Sequence, residues 1–158
     1  MEWFEKMKES VHDEQNIKGF FGQYRWLSNF EPCLIEYEGY VFHSSEAAYQ
    51  AAKTNDFKEK QKFFNATASQ SKKLGRNISL RFDWEQVKLS VMEDILTAKF
   101  NKNADLRERL INTNKKYLEE TNWWNDRFWG VCNGHGENNL GKILMKIRNN
   151  LTVNATTN

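Results

Sequence analysis

The chain has 158 residues, with 23 Lys or Arg against 21 Asp or Glu and a formal net charge of +2. So small a charge gives no ground for nucleic-acid binding by net electrostatics, and the length suits one domain around a single core. A mean hydropathy of -0.81 and a single proline describe a soluble, mostly regular chain, in which six Trp and eleven Phe let a few large side chains supply much of the buried area.

Residues 1–15 mix Trp3, Phe4 and Met7 with alternating charges and read as a frayed or weakly helical arm. They lack an unbroken apolar run, so neither a signal peptide nor a membrane span is expected there. Ile17 to Phe21 reads as a short strand. Leu34 to Tyr37 and Tyr40 to Phe42 flank Glu38-Gly39, which predicts a hairpin. At Ser44 or Ser45 a hydroxyl N-cap, Glu46 in the first turn and four alanines predict a helix to about Lys53 or Thr54. Phe57 to Phe64 and Thr67 to Leu74 suggest two more helical pieces, the second closed by Gly75 at a C-terminal cap. Asp83 and Gln86 read as an N-terminal capping pair, followed by Trp84, Val87, Lys88, Val91, Met92, Ile95, Leu96 and Phe100 at helical spacing, the expected spine of the core. Asn103 is expected to cap a shorter helix with Leu106, Leu110 and Ile111, and Tyr117 to Thr121 to be extended. Leu140, Ile143, Leu144, Ile147 and Leu151 then form a last amphipathic helix. Residues 152–158 have no apolar content worth burying and are expected to be disordered. The sum is an α+β fold: a mostly helical single domain over 16–151 with a small antiparallel sheet near the N-terminus, between an arm (1–15) and a tail (152–158).

Three stretches pair a large aromatic with a carboxylate, amide or ammonium: Trp26 to Phe30 (with Asn29), Ser44 to Lys53, and Asp126 to Gly130. That composition suits a pocket for a flat, polar, ring-containing ligand. Glu46, Tyr49, Gln50 and Lys53 are spaced i, i+3, i+4 and i+7 and share one helix face. They form either a catalytic wall or the polar face of an ordinary helix; the alanines on the remaining faces argue for burial, and a buried Glu46 needs a purpose. Asp126 stands among Trp123, Trp124, Phe128 and Trp129, and reads either as a general acid or base or as an aspartate that caps its own loop.

Gly136 to Ile143 has the glycine spacing and lysine of a P-loop, but Ile143 replaces the magnesium-binding hydroxyl and only one helix follows. A nucleotide triphosphatase is therefore not expected; an anion held by free backbone N–H groups of that loop is. Cys132-Asn133-Gly134-His135 has no second Cys/His pair to complete a metal site, and His43 stands alone. With two cysteines there is no disulfide framework, and a cytoplasmic setting is expected. Lys58, Lys60, Lys62, Lys72, Lys73 and Arg76 fall close together, a solvated helix face in preference to a phosphate-tracking surface.

In order, Leu27-Ser28-Asn29-Phe30, Ser45-Glu46 with Tyr49-Gln50-Ala51-Ala52-Lys53, Leu74-Gly75-Arg76, Asp83-Trp84, Ala98-Lys99-Phe100, Asp126 with Trp129-Gly130, and Asn139 to Met145 with Arg148 make a pattern that resembles the NADAR superfamily, with its YbiA-like N-glycosidases. The resemblance covers about residues 17–151 and implies a helical α+β domain that cleaves N-glycosidic bonds. It implies as substrate a small phosphorylated ribosyl-base compound, such as a phosphoribosylamino-pyrimidine of riboflavin synthesis, or ADP-ribose linked to guanine in nucleic acid; no cofactor, metal or membrane is implied. The family's functional glutamate, tryptophan and aspartate fall on Glu46, Trp84 and Asp126, and its helix lysine on Lys53. Ala47 and the loop Val131-Cys132-Asn133 depart from the family pattern and leave the substrate open.

Breaking a C1'–N bond builds positive charge on ribose and negative charge on the base. Glu46 is assigned the ribose side and Asp126 the leaving group or water, roles that could be exchanged. Lys53 permits a variant in which a desolvated amine attacks C1'. Asn29, Phe30, Tyr49, Gln50, Trp84, Trp129 and Gly130 are expected to bind substrate, and Arg76, Asn138, Asn139 and Lys142 its phosphate. The rival class is a module that binds NAD or ADP-ribose without turnover; two carboxylates beside an anionic ligand argue against it.

Overall fold

The computed structural model describes residues 9–156. In chain order its elements are β1 (Val11–His12), β2 (Asn16–Lys18), a 3-10 helix (Gly22–Leu27), β3 (Ile35–Tyr37), β4 (Tyr40–Phe42), α1 (Ser45–Ala52), α2 (Phe57–Gln61), α3 (Ala68–Leu74), α4 (Trp84–Lys102), α5 (Ala104–Ile111), β5 (Tyr117–Glu119), β6 (Thr121–Asn122), β7 (Val131–Cys132) and α6 (Asn139–Thr156). The fold is mixed α+β, and the chain divides into two compact units, Asn29–Leu106 and the segments on either side of it.

In the Asn29–Leu106 unit, β3 and β4 pair antiparallel with Ile35 opposite Phe42 and Tyr37 opposite Tyr40. Glu38 (φ 51°) and Gly39 (φ 84°) both take positive φ, as the predicted two-residue hairpin turn requires. Ile35 and Phe42 point inward, and α4 packs on β3 and on α1. Its buried stripe, Val91, Met92, Ile95, Leu96 and Phe100, is the one expected from helical spacing, and Lys99 is buried with it, its ammonium 5.3 Å from the Phe100 ring centroid. Asp83 is the residue before α4, but its side chain makes no capping bond: Arg81 takes both carboxylate oxygens, at 2.6 and 3.0 Å. The stronger, bidentate partner wins over the helix end.

In the other unit, β1 pairs antiparallel with β2, while β2 pairs parallel with β5, Ile17 opposite Leu118. A second parallel pair joins β6 to β7. The described strands therefore form three small sheets, two of them with parallel pairs, where one small antiparallel sheet was expected, and the arm read as frayed contains a strand at Val11–His12; the remainder of that arm, residues 1–8, lies outside the described residues. Gly22–Leu27, with Trp26 and Leu27 buried, follows the strand that ends at Lys18. α6 packs on β5 and buries Leu140, Ile143, Leu144 and Ile147. It runs on to Thr156, through residues expected to be disordered, although Thr152 to Ala155 are exposed. Adding a turn to an existing helix costs far less than starting one, so burial is not needed there.

Candidate functional site

α1 starts where the sequence places it. Ser44 accepts a hydrogen bond from Ala47 N–H (3.1 Å), and the Glu46 N–H, otherwise an orphan of the first turn, donates to the Asn29 carbonyl (3.0 Å). Asn29 fixes this junction further, since its Oδ1 accepts from the Ser45 hydroxyl (2.9 Å). All eight residues of α1 are buried. Its polar face is therefore not an ordinary solvated surface: Glu46 is 8% exposed and Gln50 6%.

Gln50 Nε2–H donates to Glu46 Oε1 at 2.8 Å. Across the α1–α3 contact lies Gly75, which ends α3 with an ordinary helical φ of -61°. Gly75 is the C-terminal cap residue expected, and it also leaves space: a Cβ on it would sit 2.0 Å from Gln50 Oε1. That oxygen is buried without a hydrogen-bond partner, which holds the amide under cost and in one orientation.

The same helix face continues to α4. Tyr49 and Trp84 are both buried, with ring centroids 5.2 Å apart, and the Lys53 ammonium lies 5.3 Å from the Tyr49 centroid. Arg81 N–H donates to the Lys53 carbonyl (2.7 Å), which ties the approach to α4 to the end of α1. Burial pushes the Lys53 ammonium below its ordinary value, the charge of Glu46 pulls it back up, and Lys88 adds to the lowering. A cation beside an acid in a partly desolvated site is an arrangement able to bind a polar group or to supply a nucleophilic amine. Lys88 was not foreseen in this role; its spacing of i+4 from Trp84 was the available signal.

Phe30 takes the Lys72 ammonium at 5.8 Å from its ring centroid, and Arg76 is exposed just past Gly75. Of the basic cluster, Lys60 is turned inward and donates to the Ala51 carbonyl (3.0 Å), where it satisfies the end of α1.

Asp126 has the geometry of the loop-capping reading. Its Oδ1 accepts from the N–H groups of Phe128 (3.2 Å) and Trp129 (2.9 Å). Its own backbone is clamped by Asn122, whose amide exchanges two bonds with it, 3.0 and 2.8 Å. The Phe128 and Trp129 rings meet edge to face at 4.8 Å. Gly130 is required for space, since a Cβ would meet the Glu120 carbonyl at 2.0 Å. The clamp by Asn122 is a structural role that sequence reasoning missed.

The glycine-rich loop does not offer the free N–H groups expected of it. Glu137, Asn138, Asn139 and Leu140 donate theirs to the carbonyls of Arg127, Gly130, Phe128 and Trp129. Asn138 is buried; its amide donates to the Leu118 carbonyl (2.9 Å) and the Tyr117 hydroxyl (3.1 Å) and accepts from Glu120 N–H (3.0 Å). Asn139 donates to the Phe128 carbonyl (2.9 Å). Gly136 and Gly141 make room for the Gly130 and Leu118 carbonyls, so glycine spacing here serves backbone packing and not phosphate. Lys142 is exposed. Cys132 and His135 face each other across a tight turn through Asn133 and Gly134, both at positive φ, which accounts for that motif without a metal. Among the described residues no group of three His, Cys, Asp or Glu stands together to hold an ion, and no helix is long and apolar enough to cross a membrane.

A family model described as the NADAR domain matches residues 11–152. The chain is 38% identical over 137 residues to a riboflavin biosynthesis protein of Vibrio vulnificus, covering 84% of this chain but 37% of that protein. It is 38% identical over 132 residues to the N-glycosidase YbiA of Shigella boydii, covering 80% of this chain and 81% of the relative. The NMR structure of the Escherichia coli protein YbiA superposes with a TM-score of 0.82 at 32% identity, over 94% of this chain and 91% of that one.

Proposed function

The chain belongs to the NADAR domain family, and on that premise we propose that it is an N-glycosidase that hydrolyses the C1'–N bond of a ribosyl-base substrate. The observation that carries this reading is Glu46: a carboxylate in a fully buried helical turn, held by Gln50 at 2.8 Å, with Lys53 and the Tyr49–Trp84 pair on the same face. A structural helix has no need of such a group, and a bond cleavage that builds positive charge on a sugar does.

Glu46 acts on the ribose side, as base for water or as stabiliser of the oxocarbenium-like state. Tyr49 and Trp84 wall the site and exclude water. Asp126 is kept as the second acid that the sequence assigned to the leaving group or to water; one of its carboxylate oxygens accepts from the N–H groups of its own loop. No step asks for a metal ion. The phosphate clamp assigned to the glycine-rich loop finds the N–H groups of Glu137 to Leu140 engaged by carbonyls of residues 127–130; Arg76 and Lys142 retain their exposed charges for it.

The names of the relatives, N-glycosidase and riboflavin biosynthesis protein, support the reaction class, and a phosphoribosylamino-pyrimidine is the first candidate substrate. ADP-ribose linked to guanine in nucleic acid is the second candidate substrate. The unpaired Cys33 and Cys132 fit a reducing cytoplasm. Mass spectrometry of products from a panel of N-ribosides, ADP-ribosylated guanine DNA included, tests the proposal. Release of free base and ribose phosphate or ADP-ribose supports it. Stoichiometric binding with no product from any member overturns it in favour of a NAD or ADP-ribose binding module.

A further inference from the structure

The unit that carries both chain ends holds a cavity of about 230 Å³ whose lining includes none of the residues assigned to the glycosidase. Its lining joins two aromatic residues, Tyr24 and the buried Trp26, to Arg109, Thr113 and Lys116, and among the described residues no acid lines it. His12 meets Tyr24 edge to face at 5.2 Å and holds that ring.

A third cation stands behind the polar wall. Arg148 is 8% exposed, and its guanidinium donates to the Thr113 hydroxyl (2.9 Å) and the Lys116 carbonyl (2.8 Å), both neutral acceptors. Among the described residues no carboxylate forms an ion pair with it. A buried, uncompensated guanidinium is costly, and the cost falls when an anion comes close. Its two bonds also set the cavity wall: the Thr113 hydroxyl donates in turn to the Leu110 carbonyl (2.6 Å), and Lys116 N–H donates to the Thr113 carbonyl (3.1 Å). The segment from Thr113 to Lys116 is thereby tied to Arg148, while Lys116 itself lines the cavity. Lys116 also lies within range of Asp13, whose Oδ1 is engaged by the N–H groups of Gln15 and Asn16.

We propose that this cavity binds a ring-bearing phosphomonoester, the phosphate against Arg109 and Lys116 with Arg148 behind them, and the ring against Tyr24 and Trp26. Arg and Lys beside an aromatic wall is the chemistry that recognises a nucleotide, by charge at one end and stacking at the other. Size narrows the class. Pockets that enclose a drug-sized ligand start at about 300 Å³, so a phosphate with one ring system fits and a dinucleotide does not.

The phosphate could belong to a free mononucleotide or to the 5' end of a nucleic acid, and the test separates them. Adenosine 5'-monophosphate, adenosine, inorganic phosphate and a 5'-phosphorylated tetranucleotide are titrated into the full chain and followed by residue-resolved NMR. Saturable shifts at the Trp26 indole and the Thr113 and Lys116 amides are expected with the monophosphate, with adenosine at least tenfold weaker. The double variant Arg109→Ala/Lys116→Ala is expected to lose at least tenfold in affinity at an unchanged melting temperature, and Lys116→Glu to lose more. Tighter binding of the tetranucleotide assigns the ligand to nucleic-acid ends, and of the monophosphate to free nucleotide; either supports the site. Absence of saturable shifts at these residues, equal affinity for adenosine, or unchanged affinity in both variants overturns it.

Discussion

Gln50 restrains Glu46: one turn along α1, its Nε2–H meets Oε1 of the acid at 2.8 Å, while the backbone at Gly75 closes on its other side. The orientation of the proposed catalytic acid thus depends on a glycine 29 positions downstream in sequence, through one amide. Gly75→Ala puts a methyl 2.0 Å from the amide oxygen and must displace Gln50. We expect it to cost about 1–3 kcal/mol of stability and to lower kcat more than it raises KM. Gln50→Leu removes the bond without the clash, and should lower kcat with a smaller loss of stability. Denaturant unfolding alongside steady-state kinetics checks both; a Gln50→Leu enzyme with wild-type kcat contradicts the role.

Lys53 makes stability depend on pH. Burial lowers its pKa from the ordinary 10.5, so the folded chain binds that proton less tightly than the unfolded one. Below the lowered folded value both states are charged, and folding bears the whole desolvation cost. As pH rises through the folded value toward 10.5 the cost disappears. Lys53→Met should therefore be more stable than wild type at neutral pH, and should lose that advantage as pH approaches 10.5. Melting curves across that range test it, and a pH-independent difference contradicts it. The covalent variant is read separately: borohydride with substrate should leave an adduct on wild type that is absent from Lys53→Ala, and no adduct on wild type removes that variant while leaving Glu46 its role.

Asp126→Asn keeps an oxygen at Oδ1 to accept the Phe128 and Trp129 N–H groups, and removes only the charge. Turnover should fall by roughly 10²–10⁴ with the melting temperature almost unchanged, the size expected for a general acid or base. Asp126→Ala should lose the same activity and also about 1–3 kcal/mol of stability with its two hydrogen bonds. Full activity in the Asn variant assigns Asp126 to the loop alone.

Ile95 is fully buried on α4 and touches no proposed chemistry, so Ile95→Ala should cost about 2–5 kcal/mol and leave kcat near wild type at a temperature where the variant is folded. Thermal unfolding and kinetics on one preparation separate the two effects.

Elements that announce themselves locally were legible in the sequence. The hairpin around Glu38-Gly39, the Ser44 cap and the apolar stripe of α4 each follow from a turn preference, a hydroxyl at a helix end, or a 3.6-residue period. Pairings between distant segments were not. β2 and β5 are short, and nothing in either three-residue strand announces a parallel partner that far along the chain. Close approach at glycine was not legible. Gly75 was read as a helix end, which it is, and Gly141 as part of an anion-binding loop; both also make room for a side chain or a carbonyl from another element, and only the folded chain brings those atoms together. Asp83 shows the same limit, because its choice of Arg81 over the helix end depends on where the arginine lies. Within the candidate site, the shared face of Glu46, Tyr49, Gln50 and Lys53 was legible from spacing. The burial that turns it from surface to site was only hinted at by the alanines.

The central claim is that Glu46 drives cleavage of an N-ribosyl bond, and the most direct measurement is the rate of base release by wild type and by Glu46→Gln, each first shown to be folded by its melting curve. The account predicts base and ribose phosphate or ADP-ribose from wild type, and a loss of at least about 10²-fold in kcat for the glutamine variant at near-wild-type stability. Equal rates in the two proteins would contradict it, as would a Glu46→Gln chain that loses its fold along with its activity.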